Sequence, residues 1–385
     1  MSRAKKLGQY FTVSPMLQQT VFDLVQNKGA PLLEPSFGAG HLLLPFLAAN
    51  PAYPMTCYEL DTTVKPIFTP TGHQQLIYGD FTQQTPPTLF RTIIGNPPYV
   101  QRRGAVNLYL EFIDRCLPLL DGAGAEMIFI VPSDFIKLSR AAPLLQRMMA
   151  TGSFTHFLFP NNEGLFSGAA IDVLVFRYEV GRGSAEGTLV NGEPKFCNLT
   201  NGIITFTDHP TTPTGTLLAD LFTVHVGLVS GKDEVYKVPF GNIEVLADKD
   251  KRDRFILVTE FPTPDAQINA HLAANKTALL ERRIKKFTEE NWFEWGAPRN
   301  RQTMEAKKGQ SCIYVRTLTR KSEVAFIGTV EPFGGALLCM IPKEPMAAER
   351  LTEITAHLND PNTQKEYLYS GRFKMGQKQL CNVRL

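Results

Sequence analysis

Short apolar runs alternate with amphipathic stretches along the first 180 residues. Apolar runs of strand length, bounded by Gly, Pro or acidic residues, predict strands at 32–34, 55–59, 76–78, 91–95, 125–131, 154–159 and 171–178. Apolar positions at helical spacing predict helices at 15–26, 41–49, 107–120 and 141–150. Such βα alternation implies a mostly parallel sheet covered on both faces, and the two closely spaced last strands predict an antiparallel hairpin at one edge. The expected fold over 1–180 is a doubly wound α/β domain. From 181 to 215 the composition shifts to Gly, Thr, Pro and Asn, which predicts a linker region. Beyond it, β-like pieces such as 312–315 and 337–341 stand among Gly- and Pro-bearing loops, so a mixed α+β second domain is expected over 216–385.

Composition narrows the class. A chain of 385 residues exceeds the size at which one core keeps growing, and 43% apolar with 20% charged residues excludes a disordered chain. The six cysteines (Cys57, Cys116, Cys197, Cys312, Cys339, Cys381) are scattered, without CxxC pairs or a nearby His cluster, so reduced thiols and no bound metal are expected. No apolar h-region follows the basic start, and no run approaches the roughly 18 apolar residues a membrane span needs. The expectation is a soluble, cytoplasmic protein without a membrane partner. Net charge is +3, but residues 271–385 carry 19 Lys and Arg against 12 Asp and Glu, while 1–270 carry 21 against 25. The basic end is a candidate phosphate-facing surface, or simply a solvated face.

Two constellations carry chemistry. The run Leu32-Leu33-Glu34-Pro35-Ser36-Phe37-Gly38-Ala39-Gly40 leads from a strand through a Gly-bearing turn into a helix, which lets backbone amides approach a ligand closely. Glu59 ends the second strand, where a carboxylate can accept from both ribose hydroxyls. Asp80 and Phe81 close the third, offering an acceptor for an adenine amino group and a ring face. A nicotinamide cofactor is disfavoured because Leu43 stands where GxGxxG needs its third glycine. The second constellation is Asn96-Pro97-Pro98-Tyr99, after the buried run 92–95. The prolines fix φ and donate no hydrogen bond, so Asn96 Oδ1 and the Pro97 carbonyl are two acceptors suited to a planar substrate NH2, with Tyr99 to stack on it. An Asn-Pro turn at a strand end would also produce this tetrapeptide.

Taken together, these residues resemble the N6-adenine DNA methyltransferases in the gamma motif order, cofactor motifs first and NPPY next, typical of restriction-modification systems. The resemblance spans about residues 5–180 and implies a class I S-adenosylmethionine-dependent methyltransferase fold. It implies cofactor contacts from Tyr10, Phe11 and Thr12, which resemble the segment folded over the methionine end. Glu34, Ser36, Gly38, Gly40, Glu59, Leu60, Asp80, Phe81, Asn96 and Pro98 complete the implied cofactor set. Phe37 departs from the small residue or Cys usual in the family. Asn96, Pro97, Pro98 and Tyr99 match the catalytic tetrad, and Phe166 occupies the position of an aromatic that packs on the flipped base. Segments 226–231, 333–338 and 370–374 loosely resemble the family's target-recognition domains.

The implied reaction is direct transfer of methyl from S-adenosylmethionine to N6 of an adenine rotated out of double-stranded DNA. Lys232, Arg282, Arg283, Arg299, Arg301, Arg316, Arg320, Lys321, Arg372 and Lys374 are candidate phosphate clamps or base readers, with Lys5 and Lys6 as further backbone contacts. A monomer is expected, with a cognate restriction endonuclease that shares the target site without forming a stable complex. Three alternatives stay open: methylation of a protein glutamine amide, of RNA adenine, or a catalytically silent specificity subunit. The long basic C-terminal part disfavours the first two, and the intact Asn96–Tyr99 tetrad disfavours the third.

Overall fold

The computed structural model describes residues 11–84, 86, 88–100, 107–160, 172–200, 202–210, 215–282, 284–365, 367–369 and 372–385. The chain divides into two compact units, Met1–Pro213 and Thr214–Leu385.

The first unit is built on one ten-stranded sheet. Its strands are β1 (Leu32–Glu34), β2 (Met55–Glu59), β3 (Gln74–Tyr78), β4 (Thr92–Gly95), β5 (Glu126–Pro132), β6 (Gly152–Leu158), β7 (Val173–Val180), β8 (Thr188–Val190), β9 (Glu193–Thr200) and β10 (Ile203–Thr207). They lie in the order β10-β9-β8-β6-β7-β5-β4-β1-β2-β3. From β3 to β5 every pairing is parallel, and β7 enters antiparallel between β5 and β6. Side chains alternate strictly between two buried faces: Leu33, Ile93, Met127, Phe129 and Phe176 on one, Leu32, Ile94, Ile128, Ile130 and Val175 on the other. Helix α1 (Pro15–Leu24), capped by Ser14 and opened by Pro15, buries Leu17, Val21 and Leu24 on the second face beside α2 (Leu44–Ala49). The first face is covered by α3 (Leu108–Cys116) and α4 (Ala142–Thr151).

Two expectations are corrected. The antiparallel β6–β7 pair is interior, because β8 pairs with β6 and extends the sheet. The Gly- and Asn-rich stretch from 181 is no linker: three strands form there. Asn191 and Gly192, at φ +50° and +87°, make the two-residue turn between β8 and β9, so part of the composition read as linker is a hairpin turn. Cys197 and Ile204 join the core of the first unit, and Phe206 packs edge-on against Phe157 at 5.0 Å.

A buried ion pair ties this sheet together. Glu126, fully buried at the start of β5, accepts from Arg177 Nε on β7 at 2.8 Å, from the amides of Gln26 and Asn27, and from the Thr92 hydroxyl on β4.

The second unit holds an antiparallel sheet in the order β11-β17-β14-β16 and a hairpin, β12–β13. Here β11 is Phe222–Val226, β12 Ile243–Asp248, β13 Lys251–Phe255, β14 Ser311–Arg316, β16 Ala325–Thr329 and β17 Leu337–Pro342. A small three-stranded sheet combines β15 (Leu318–Thr319), β18 (Leu368–Tyr369) and β19 (Arg372–Lys374). Leu351, Ile354 and Leu358 of helix Ala348–Asn359 pack on the four-stranded sheet, as a mixed α+β unit requires.

Candidate active site

The parallel strands β1, β2, β3 and β4 end on the same edge of the sheet, where open α/β folds bind ligands. After β1 the backbone turns through Gly38 and Gly40, both left-handed at φ +57° and +86°. The Phe11 ring lies against Gly38, so closely that a Cβ there would stand 2.9 Å from it, and it stacks on His41 at 5.8 Å. The Gly38 amide donates to Glu59 Oε2 at 3.0 Å, and Glu59 Oε1 accepts from the Asp61 amide at 2.8 Å. Glu59 therefore links the tips of β1 and β2. Carboxylate oxygens have lone pairs beyond those two, so this use does not preclude a ligand hydroxyl. Asp80 caps the turn after β3, accepting from the Thr82 amide and hydroxyl. Phe81 is a core residue between Tyr58 and Phe112 (5.3 and 5.5 Å), which puts the expected open ring face inside the hydrophobic layer. Phe37 is likewise in the core, edge-on to Tyr78, while Leu60 is half exposed.

Of the sequence candidates, Phe11, Thr12, Glu34, Ser36, Gly38 and Asn96 meet around one narrow cleft with about 20 Å³ of free space, close to what one water needs. That is far below the volume of a formed ligand pocket. His41 also lines it, with a buried Nδ1 that has no hydrogen-bond partner, and burial lowers its pKa. Sequence reading treated His41 only as a helix start. Its place directly after Gly40, in the first turn, was the available signal. Tyr10 and Phe166, like Lys5, Lys6 and Arg283, lie outside the described residues.

Glu34 dominates the electrostatics of the cleft. It is 1% exposed; Oε1 accepts from the Ser36 amide at 3.2 Å and hydroxyl at 3.4 Å, and Oε2 has no partner. Burial pushes its pKa up to about 8, the Ser36 donors pull the other way, and the Glu59 charge adds to the rise. At neutral pH the carboxyl is mostly a neutral acid. Burial also pushes the Cys57 and Cys116 thiols well up, so neither is a ready nucleophile.

The tetrad begins where β4 ends. Gly95 leaves little room for a side chain, since a Cβ would meet the Phe129 ring at 3.1 Å and Glu34 Oε1 at 3.2 Å. Asn96 Nδ2 donates to the Thr12 hydroxyl at 3.0 Å. The Tyr99 hydroxyl is 2.5 Å from Asn96 Oδ1 and 3.1 Å from the Ile130 carbonyl, and its ring stands edge-on to Tyr109 at 6.3 Å. Burial holds the Tyr99 phenol protonated, and neighbouring Tyr109 adds to this. Pro97 is buried and Pro98 partly so, which fixes the backbone between the two polar side chains.

In the second unit two cations read as DNA contacts are structural. Arg282 is buried, donates to the carbonyls of Leu279, Ser230, Glu294 and Trp292, and lies on the Phe287 ring at 3.7 Å. Arg316, 5% exposed, pairs with Asp248 and Glu323. A guanidinium satisfies several buried acceptors at once, so positive charge alone misplaced both on the surface. Arg299, Arg320 and Lys374 are exposed, and Arg372 is partly so. Lys321 pairs with Asp248, Lys232 with Glu234 and Arg301 with Glu305, all with substantial exposure. Arg372 and Lys374 are on β19, which pairs with β15, and Arg320 and Lys321 directly follow β15.

No family model matches the chain. The type II methyltransferase M.HincII from Haemophilus influenzae is 27% identical over 219 residues, covering 51% of this chain and 42% of the relative. The chain is a relative of type II methyltransferases. M.HindII, also from Haemophilus influenzae, matches at 27% identity over 51% of this chain and 40% of its own length. The chain thus spans about two-fifths of the length of these type II methyltransferases. Among solved structures, a type I restriction-modification methyltransferase subunit from Streptococcus thermophilus is similar over 53% of each chain, at 17% identity and TM-score 0.37. The sheet order, with its antiparallel seventh strand, is that of the class I S-adenosylmethionine-dependent methyltransferase fold. No helix among the described residues is long and apolar enough to cross a membrane.

Proposed function

We propose that this chain transfers the methyl group of S-adenosylmethionine to N6 of an adenine turned out of duplex DNA, as the modification enzyme of a restriction-modification system. The observation that carries the reading is that Asn96, at the tip of β4, lines the same cleft as Glu34, Ser36 and Gly38 at the tip of β1. A planar-amide acceptor and a Gly-bearing cofactor loop share one space. The unpartnered, buried Glu34 Oε2 fits a site meant for a ligand that brings its own donors or positive charge.

S-adenosylmethionine is the cofactor and supplies a methyl group on a positively charged sulfur, which departs as a neutral thioether. The residues proposed to hold it are Phe11, Thr12, Glu34, Ser36, Gly38 and Gly40 at the loop, Glu59 for the ribose, and Leu60 and Asp80 for the adenine. Asn96 Oδ1 and the Pro97 carbonyl accept the two hydrogens of the target NH2 and direct the nitrogen lone pair toward the methyl carbon. Tyr99 has one proton and two acceptors within reach, so it releases Asn96 Oδ1 to the target by donating to Ile130 instead. The nitrogen acquires the methyl and sheds a proton to solvent. No covalent enzyme intermediate is required.

Double-stranded DNA is the proposed partner, with the small basic sheet bearing Arg320, Lys321, Arg372 and Lys374 as its phosphate-facing part. A cognate endonuclease would read the same site independently. The test is transfer of labelled methyl from S-adenosylmethionine to mixed-sequence duplex DNA, RNA and protein in parallel. Label entering DNA alone, and lost by about 10²-fold or more in Asn96→Ala with cofactor affinity retained, is expected. Full activity in Asn96→Ala, or label only in RNA or protein, overturns the assignment.

A further inference from the structure

We propose that the Phe11 ring is a built-in cover for the cofactor cleft: it lies on the Gly-bearing loop where the cofactor packs and swings aside before the cofactor enters. The inference rests on the reading of this cleft as the cofactor site.

The cleft is closed as it stands. Its free space of about 20 Å³ matches one water, whereas a drug-sized or nucleoside-bearing ligand needs roughly 300 Å³ or more. The bare backbone of Gly38 is the surface a ligand would approach, and Phe11 already lies on it: a Cβ there would stand 2.9 Å from the ring. The same ring stacks on His41, with 5.8 Å between centroids and 26° between planes. This apolar cover leaves polar atoms stranded. Glu34 Oε2 and His41 Nδ1 belong to residues that line the cleft, and both are buried without a hydrogen-bond partner. Such orphaned atoms are costly in a finished interior and are relieved by a polar ligand.

Phe11 is the ring free to move. It is 38% exposed, while Phe37 is 5% exposed within the core. Phe68, the ring against Gly40, follows Ile67, whose amide donates to the Ala39 carbonyl at 2.9 Å and so ties that segment to the loop. The backbone beside Phe11 is pinned. Thr12 is buried, and its carbonyl accepts from Gln18 Nε2 of α1 at 2.7 Å, so the ring turns about its own side-chain torsions while the chain stays in place. Exposed side chains change rotamer in picoseconds to nanoseconds, so opening is a rapid equilibrium that precedes binding. The cofactor meets only the open fraction, and its association slows by that fraction. After entry the ring folds back on the cofactor, which is the holding contact proposed for Phe11 above.

Rapid filtration with methyl-labelled S-adenosylmethionine and no DNA measures association and release separately. Phe11→Ala should associate about tenfold faster than wild type, equivalent to about 1.4 kcal/mol of ring contact removed. It should also release faster, because no ring folds back. Phe11→Leu, a smaller cover, should fall between the two, and Phe11→Tyr, which keeps the ring, should associate within about twofold of wild type. An alanine or leucine variant that associates no faster than wild type, or a tyrosine variant as fast as alanine, overturns the proposal. Glu34→Gln separates this failure from that of the site reading. If it binds cofactor with the pH dependence of wild type, the cleft is not the cofactor site and the cover falls with it; if its pH dependence is lost while the Phe11 variants match wild type, the site stands and the cover alone is refuted.

Discussion

Replacing Glu34 with Gln removes an ionisable proton while keeping the size of the side chain. In the free site the carboxyl is fully buried, and its pKa stands at about 8 against an ordinary 4.5. Because the folded value is raised, the folded state holds the proton more tightly than the unfolded chain. The stabilisation is complete below about pH 4.5 and is lost as pH rises through about 8, at about 1.4 kcal/mol per unit, or roughly 4–5 kcal/mol over the window. The same proton governs cofactor binding. At pH 7 the acid outnumbers the carboxylate by about ten to one, so a ligand that brings positive charge to Glu34 expels close to one proton as it binds. Cofactor affinity should rise with pH by up to about tenfold per unit below pH 8 and level off above it. Calorimetry at pH 7 in two buffers of different ionisation enthalpy counts the protons. Wild type should release nearly one per cofactor, Glu34→Gln none, and the affinity of the variant should be flat from pH 6 to 8. Equal proton release from the two proteins, or a pH-independent wild-type affinity, would refute the reasoning.

Other consequences are simpler to measure. Gly38→Ala places a methyl at a left-handed φ and 2.9 Å from the Phe11 ring; about 1–2 kcal/mol of strain should weaken cofactor binding about tenfold in a titration. Arg177→Met leaves the buried Glu126 without its cation and should destabilise the first unit by about 3–5 kcal/mol in urea unfolding, with a stability loss under 1 kcal/mol contradicting the assignment. Arg282→Ala should unfold the second unit readily, because four buried carbonyls lose their donor. Arg320→Ala with Lys374→Ala should leave stability within about 0.5 kcal/mol and reduce the salt dependence of DNA binding by about two phosphate contacts.

The parallel half of the sheet was legible because its strands are buried on both faces and read as unbroken apolar runs, as in Thr92–Gly95 and Glu126–Pro132. Strand β9 was not. Of its eight residues only Cys197 is buried, so the apolar signal was weak while Asn191-Gly192 and the glycines nearby read as loop. Residues joined by short-range motifs, such as Gly38 and Asn96, could be named from sequence, but the bond between Thr12 and Asn96 could not, since nothing local couples positions so far apart. Arg282 and Arg316 failed for a different reason. Their partners are largely backbone carbonyls and acids distant in sequence, so charge pointed outward where hydrogen bonding drew the side chains in.

The central claim is which atom is methylated. Duplex DNA incubated with the protein and S-adenosylmethionine, digested to nucleosides and analysed by mass spectrometry against standards, answers it. The account predicts N6-methyladenine as the methylated product, absent with Asn96→Ala; methylated cytosine, or DNA without added methyl alongside methylated RNA or protein, would contradict it.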